Sequence, residues 1–143
     1  MNTFWLAMLT AFLWGLAPVF DKIGLDKASP IVALTIRTLV MTIGIGTFSL
    51  ASGTWRDVLA LESRSFLFLV LAAVSAGLIG QLVYYYALKT GEPGKVVPLV
   101  ATYPLISLLI SVIYLREPIS TGKVAGAVLI VLGVLLIGLE QTS

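Results

Sequence analysis

The sequence contains no cysteine and no histidine. Without cysteine there are no disulfides and no thiolate metal sites. Without histidine the commonest metal ligand and the usual general base are missing. Charge is scarce as well. Only 11% of the 143 residues are Asp, Glu, Lys or Arg, against about 25% in soluble domains. Such a chain cannot cover a water-facing surface, and its mean hydropathy of +1.06 places it in a lipid bilayer. Nine basic against seven acidic residues is too small an excess to point to nucleic acid. No Lys or Arg precedes the opening apolar run, so the start reads as a retained first span and not as a signal peptide. No His/Glu metal spacing, nucleophile elbow or phosphate loop is present. The carboxylates, Asp21, Asp26, Asp57, Glu62, Glu92, Glu117 and Glu140, all lie near run ends or in loops. The sequence therefore predicts no enzyme, no cofactor and no metal.

What remains is apolar sequence long enough to cross a bilayer repeatedly. The runs predict an all-α integral membrane protein, a single domain over residues 1–143. Its five spans lie at about 3–24, 30–50, 66–88, 96–115 and 120–139. With the chain ending shortly after the fifth, no soluble domain is expected. Ser29-Pro30 suits the start of the second helix, as a capping side chain followed by proline in the first turn. Residues 52–65 form the longest polar segment, with Trp55 at an interface and a short surface helix around Val58 and Leu59. Small residues recur at spacings that let helices approach closely: Ala7, Ala11 and Gly15; Ala72, Ala76 and Gly80; Gly122, Gly126 and Gly133.

Two features break this pattern. Residues 96–115 carry Pro98 and Pro104 inside an apolar run, with Thr102, Tyr103, Ser107 and Ser111 nearby. Each proline removes a backbone donor and clashes with the preceding turn. Such breaks are tolerated in a membrane where protein, hydroxyls or trapped water satisfy the backbone groups released. Pro18 predicts a further kink, in the first span. The second feature is Arg37, the only charge inside an apolar run. It stands about 10 Å along its helix from Pro30. An intramembrane arginine costs at least about 2.5 kcal/mol on insertion scales, which makes it a functional candidate. It suits an anion clamp or an ion-pair partner of Asp21 or Glu117; the alternative is a stem that snorkels to the headgroups. With Trp14, Gln81, Tyr85 and Tyr103 it makes up the candidate substrate-binding set. Asp21, Lys22 and Glu117 are the candidates for coupling or gating. Tyr84, Tyr85 and Tyr86 suit an aromatic belt or a pocket wall.

The order of these features resembles the drug/metabolite transporter superfamily, specifically an EamA-type domain. In the first span LWGLAPVFDK is similar to that family's early Trp-Gly and terminal Lys, here Trp14, Gly15 and Lys22. The stretch from Tyr84 to about residue 137 carries the strongest match: Ala87 and Leu88, a short turn, Pro98 and Pro104, Glu117, then Gly126 and Gly133. Many relatives have Glu before the mid-helix proline, where this chain has Tyr103. The resemblance implies secondary transport by alternating access, with helices around a central cavity. The substrate would be a small metabolite, an amino acid or a drug-like molecule. Typical relatives have ten spans in two inverted repeats, and this chain matches one repeat.

Charge placement extends that expectation. With five spans, Arg56, Arg64, Arg116 and Lys123 fall on one side, and Lys22, Lys27, Lys89 and Lys95 on the other. Orientation follows Lys/Arg bias, and four against four gives none. The chain is thus expected to insert both ways up and to pair as an antiparallel homodimer, with Gly122, Gly126 and Gly133 as the contact. The expected location is the cell membrane, multi-pass, and the inner membrane in a Gram-negative source. The competing expectation is a non-transporting subunit, or half of a heteromeric flippase. Convergence of Arg37, Gln81, Tyr85 and Tyr103 on a cavity would favour transport.

Overall fold

The computed structural model describes residues 2–139, so Glu140 lies outside the described residues. Its elements are helices: α1 (Thr3–Leu25), α2 (Pro30–Ser52), α3 (Trp55–Leu59) and α4 (Ser63–Ala72) are followed by a π-helical segment (Ala73–Gly80). Then come α5 (Gln81–Thr90), α6 (Pro93–Val100), α7 (Tyr103–Tyr114) and α8 (Thr121–Leu139). Four helical stretches are long and apolar enough to cross a membrane: Thr3–Leu25, Pro30–Ser52, Ser63–Thr90 and Pro93–Tyr114. α8 contributes a shorter apolar stretch, Thr121–Ile137. The sequence predicts five spans; the described residues support four by this measure. Large apolar side chains stand exposed along nearly all of these helices. In water that surface would not persist; in hydrocarbon it needs no cover.

The chain divides into two compact units at the Thr90/Gly91 boundary. In the first, α1, α2 and α5 pack on one another. The start of α2 is fixed by Ser29, whose Oγ accepts from the Val32 amide at 3.3 Å, with Pro30 in the first turn. Its end is a left-handed Gly53 at φ 77°, a conformation that costs glycine nothing. The core of the unit is small. Leu25, Leu34, Tyr85 and Leu88 are buried, and Leu88 is fully so. All four lie at the end of the bundle where α1 stops and α2 starts. Pro18 is buried inside α1, and the helix runs through it without interruption.

The π-helical segment is a feature that the sequence pattern does not announce. A Cβ added to Gly80 would lie 2.9 Å from the Ser75 carbonyl oxygen, five residues back. The wider turn and the bare Gly80 therefore go together. The segment also removes the regular four-residue spacing on which the expected Ala72, Ala76 and Gly80 stripe depends. Those residues are exposed.

In the second unit α6 packs against α8. The fourth predicted span is two helices. α6 ends at Val100, and α7 begins at Tyr103 with Pro104 in its first turn. Pro98 lies inside α6. At the break the Leu99 carbonyl, which loses its regular partner, accepts from Thr102 N at 3.3 Å and from Thr102 Oγ1 at 2.8 Å. A side-chain hydroxyl thus caps a carbonyl at the break, while Pro104 withholds the amide that would have met Val100. Between α7 and α8, Arg116 adopts a left-handed φ of 54°. The turn is closed by Lys123 Nζ, which donates to Glu117 Oε2 and to the Pro118 carbonyl, each at 3.2 Å.

Candidate functional site

Three helices of the first unit bring one side chain each to a common point. Asp21 comes from the last turns of α1, Arg37 from two turns into α2, and Tyr85 from the middle of α5. The Tyr85 hydroxyl donates to Asp21 Oδ1 at 2.9 Å and accepts from Arg37 Nη1 at 3.2 Å. Arg37 Nη1 also lies 3.5 Å from Asp21 Oδ2, an ion pair without a hydrogen bond. Asp21 Oδ2 is buried and has no hydrogen-bond partner. The phenol oxygen accepts a hydrogen bond from a cation and its O–H donates one to an anion, so it bridges the pair only as the neutral hydroxyl. An unmatched buried carboxylate oxygen costs about 1–3 kcal/mol or more.

Two lysines hold the elements around this point. Lys22 Nζ donates to the carbonyls of Leu88 and Lys89 at 2.9 and 3.1 Å. Lys89 Nζ donates to the Ala28 carbonyl at 2.7 Å. Each ammonium sits where carbonyls are left without helical partners, at a helix end or in a turn. Together they tie α1, α5 and the α1–α2 turn at the level of the buried leucines.

An open cleft of about 450 Å³ lies over the three polar groups, within the range of small-molecule sites. Asp21, Arg37 and Tyr85 form its polar wall; Phe20, Ile36, Val40 and Met41 form its apolar one. Gly24, Ala28 and Ala33 keep it clear. Side-chain exposure differs sharply across the pair: 37% for Arg37 against 20% for Asp21. A second apolar hollow lies beside α3, lined by Val58, Leu61 and Phe66 among others. Among the described residues no cluster of His, Cys, Asp or Glu could hold a metal ion.

The sequence-predicted residues separate accordingly. Arg37, Tyr85 and Asp21 meet, and of the two acids expected as partners for Arg37 it is Asp21 that pairs. Glu117 pairs with Lys123. Lys22 holds helix-end carbonyls beside the site. Trp14 is 64% exposed and Tyr103 52%, the latter in the second unit, and neither lines the cleft. Gln81 is half-buried at the start of α5 and does not line it either. Gly126 and Gly133 have nothing within 4 Å of where a Cβ would stand. The apolar wall was not singled out from the sequence, although its signal was available. Ala33, Val40 and Met41 stand four before, three after and four after Arg37, the spacings that share a helix face.

The comparisons with known proteins agree with this architecture. The model of the EamA-like transporter family matches residues 1–139. An uncharacterized transporter of Sinorhizobium sp is 31% identical over 134 residues, covering 94% of each chain. An uncharacterized protein of Methanocaldococcus jannaschii is 28% identical over 136 residues, covering 95% of this chain and 96% of that one. An uncharacterized transporter of Bacillus subtilis is 31% identical over 141 residues, which are 96% of this chain but only 45% of the longer protein. No solved structure matches the chain significantly. With the family model spanning nearly its whole length, the chain belongs to the EamA-like transporter family.

Proposed function

We propose that this chain is a secondary transporter that moves a small metabolite, an amino acid or a drug-like molecule across the cell membrane by alternating access. The observation that carries the proposal is the ion-paired Asp21, Arg37 and Tyr85 wall of an open cleft between membrane helices. An intramembrane charge pair that faces a cavity is a functional site by default. A subunit that only packed against a partner would need close-packing stripes and no polar-lined cleft. Of the residues whose convergence would favour transport, Arg37 and Tyr85 share the cleft, which supports the reading; Gln81 and Tyr103 do not line it.

The transporting form is an antiparallel, dual-topology homodimer. In it each copy contributes one EamA-type repeat of five spans, α8 being the fifth at about 28 Å. Three observations support this. Lys and Arg are balanced four against four between the two sets of loops. Nearly the whole chain, 96%, aligns with 45% of a longer relative. The Gly126 and Gly133 positions are open to a neighbour. The small-molecule partner binds in the cleft of the first unit, and no cofactor takes part. The test is a thermal-shift screen of purified protein against metabolites and amino acids, followed by uptake of the hits into proteoliposomes. Ligand that binds only the folded state raises its melting temperature. Hits that enter vesicles through wild-type protein and not through Arg37→Ala establish transport. A folded, correctly inserted protein that moves none of its hits refutes it in favour of the subunit.

A further inference from the structure

The unequal burial of the Asp21–Arg37 pair says which charge is more open to a ligand. Asp21 Oδ2, the oxygen without a hydrogen bond, is sealed from the surface. Asp21 lines the cleft as well, but at 20% exposure it offers a ligand less of its side chain than Arg37 does. Arg37 keeps 37% of its side chain exposed and lines the cleft. Its described bonds all leave from Nη1, while a guanidinium carries five N–H donors in a planar fork. The fork suits a carboxylate or sulfonate held by two parallel bonds. Of the other cations at this end, Lys22 and Lys89 are engaged with backbone carbonyls, and Lys27 does not line the cleft. One arginine is therefore offered to the ligand, and the rest of the cleft is apolar through Phe20, Ile36, Val40 and Met41.

We propose that the ligand is a soluble monoanion with an apolar body, which replaces Asp21 on Arg37 while a proton from the aqueous phase adds to the Asp21 carboxylate. The inference rests on the transport reading and assigns its substrate class and its coupling. When the anion takes the guanidinium, Asp21 keeps only the Tyr85 hydroxyl as a donor. In apolar surroundings a carboxylate without its counter-ion is costlier than the neutral acid. One proton and one negative charge enter together, so the loaded site has the same net charge as the empty one. The titratable and charged groups around Asp21 are Arg37 from α2 and Tyr84, Tyr85 and Lys89 from α5. On its own helix and turn they are Lys22, Asp26 and Lys27. Asp21 is the carboxylate among them that loses its counter-ion.

The test uses purified protein in phosphatidylcholine nanodiscs, titrated calorimetrically with hexanesulfonate, which stays anionic at every working pH. Runs in two buffers of different protonation enthalpy count the protons taken up. Wild type should take up about one proton per anion, and affinity should fall as pH rises, by up to about tenfold per unit. Asp21→Asn should bind with no proton uptake and no pH slope, and Arg37→Ala should lose binding. Hexylammonium should not bind. Wild-type binding without proton uptake overturns the proposal, as does an Asp21→Asn variant that keeps the slope, or no hexanesulfonate binding at all. Should Asp21→Asn not fold, the wild-type proton count decides alone. Nanodiscs containing phosphatidylglycerol provide a further arm. If that lipid blocks hexanesulfonate in wild type, the anion is a headgroup and the soluble ligand is overturned. Hexylammonium binding to the cleft and crossing proteoliposomes would refute the anion while leaving transport intact.

Discussion

The two units of the chain spend their polar groups differently. In the first, beside local bonds, a set of side-chain bonds crosses between elements distant in sequence: Tyr85 to Asp21, Arg37 to Tyr85, Lys22 to the end of α5, Lys89 to the α1–α2 turn. In the second, the described side-chain bonds are local. Thr102 returns to Leu99, Lys95 pairs with Glu92, and Lys123 closes the turn before α8. The first unit holds a charged site in apolar surroundings and ties three helices to do so. The second carries a broken helix and mends its backbone within one turn. In hydrocarbon, where apolar contact between helices gains little over contact with lipid, long-range polar bonds mark what has to stay in place. The proposed chemistry therefore draws on the first unit, while the helix broken at residues 101–102 lies in the second.

The contrast is broken most strongly at Arg37. Arg37→Ala should insert and fold but lose transport by about tenfold to a hundredfold, as a hydrogen bond to a charged group contributes about 1.5–3 kcal/mol. Arg37→Lys should recover only part, since the planar fork is gone. Proteoliposome uptake measures both, and wild-type flux through Arg37→Ala would leave only a snorkelling side chain. A smaller effect is expected on stability. Leu88, fully buried, should cost about 2 kcal/mol or more as Leu88→Ala. Leu109→Ala in the second unit, 61% exposed, should cost less than about 0.5 kcal/mol. Equal shifts in reversible unfolding would erase the difference drawn between the units.

Glycines sharpen it further. Gly80→Ala places a methyl 2.9 Å from a backbone oxygen and should destabilise by about 1–3 kcal/mol, as forced overpacking does. Gly133→Ala meets nothing in its own chain. It should leave monomer stability unchanged and lower only the yield of crosslinked dimer, if α8 is the contact. The smallest energies govern orientation. C-terminal reporters, one active inside the cell and one outside, should both give signal from wild type, and two added lysines on either side should silence one of them. Signal from a single side at full expression would rule out dual insertion.

Much of the first unit was legible because charge is so rare in this sequence. Arg37 could not be missed, and Asp21 was one of two acids named for it. Tyr85 was named for the binding set from a row of three tyrosines, and the packing of α5 on α1 and α2 buries that middle one. Trp14 shares a helix face with Asp21, seven residues on, yet remains exposed. Periodicity gives the face of a helix, and not how far along that face a neighbour extends. Pro104 announced the break at residues 101–102, because a missing donor is a property of the residue itself. The π-helical segment had no such signature. Ala72, Ala76 and Gly80 fit a regular helix, and the choice of a wider turn is made by the backbone over Ser75 and Gly80 together.

That wider turn gives the long helix slack. A regular helix advances about 100° per residue, so deleting one residue between Ser63 and Tyr85 would swing the phenol away from Asp21 and Arg37. Within Ala73–Gly80 the same deletion can be absorbed, because the segment relaxes from a five-residue to a four-residue repeat and both flanks keep their facing. Here the chain can change its length without re-aiming the hydroxyl that bridges the two charges.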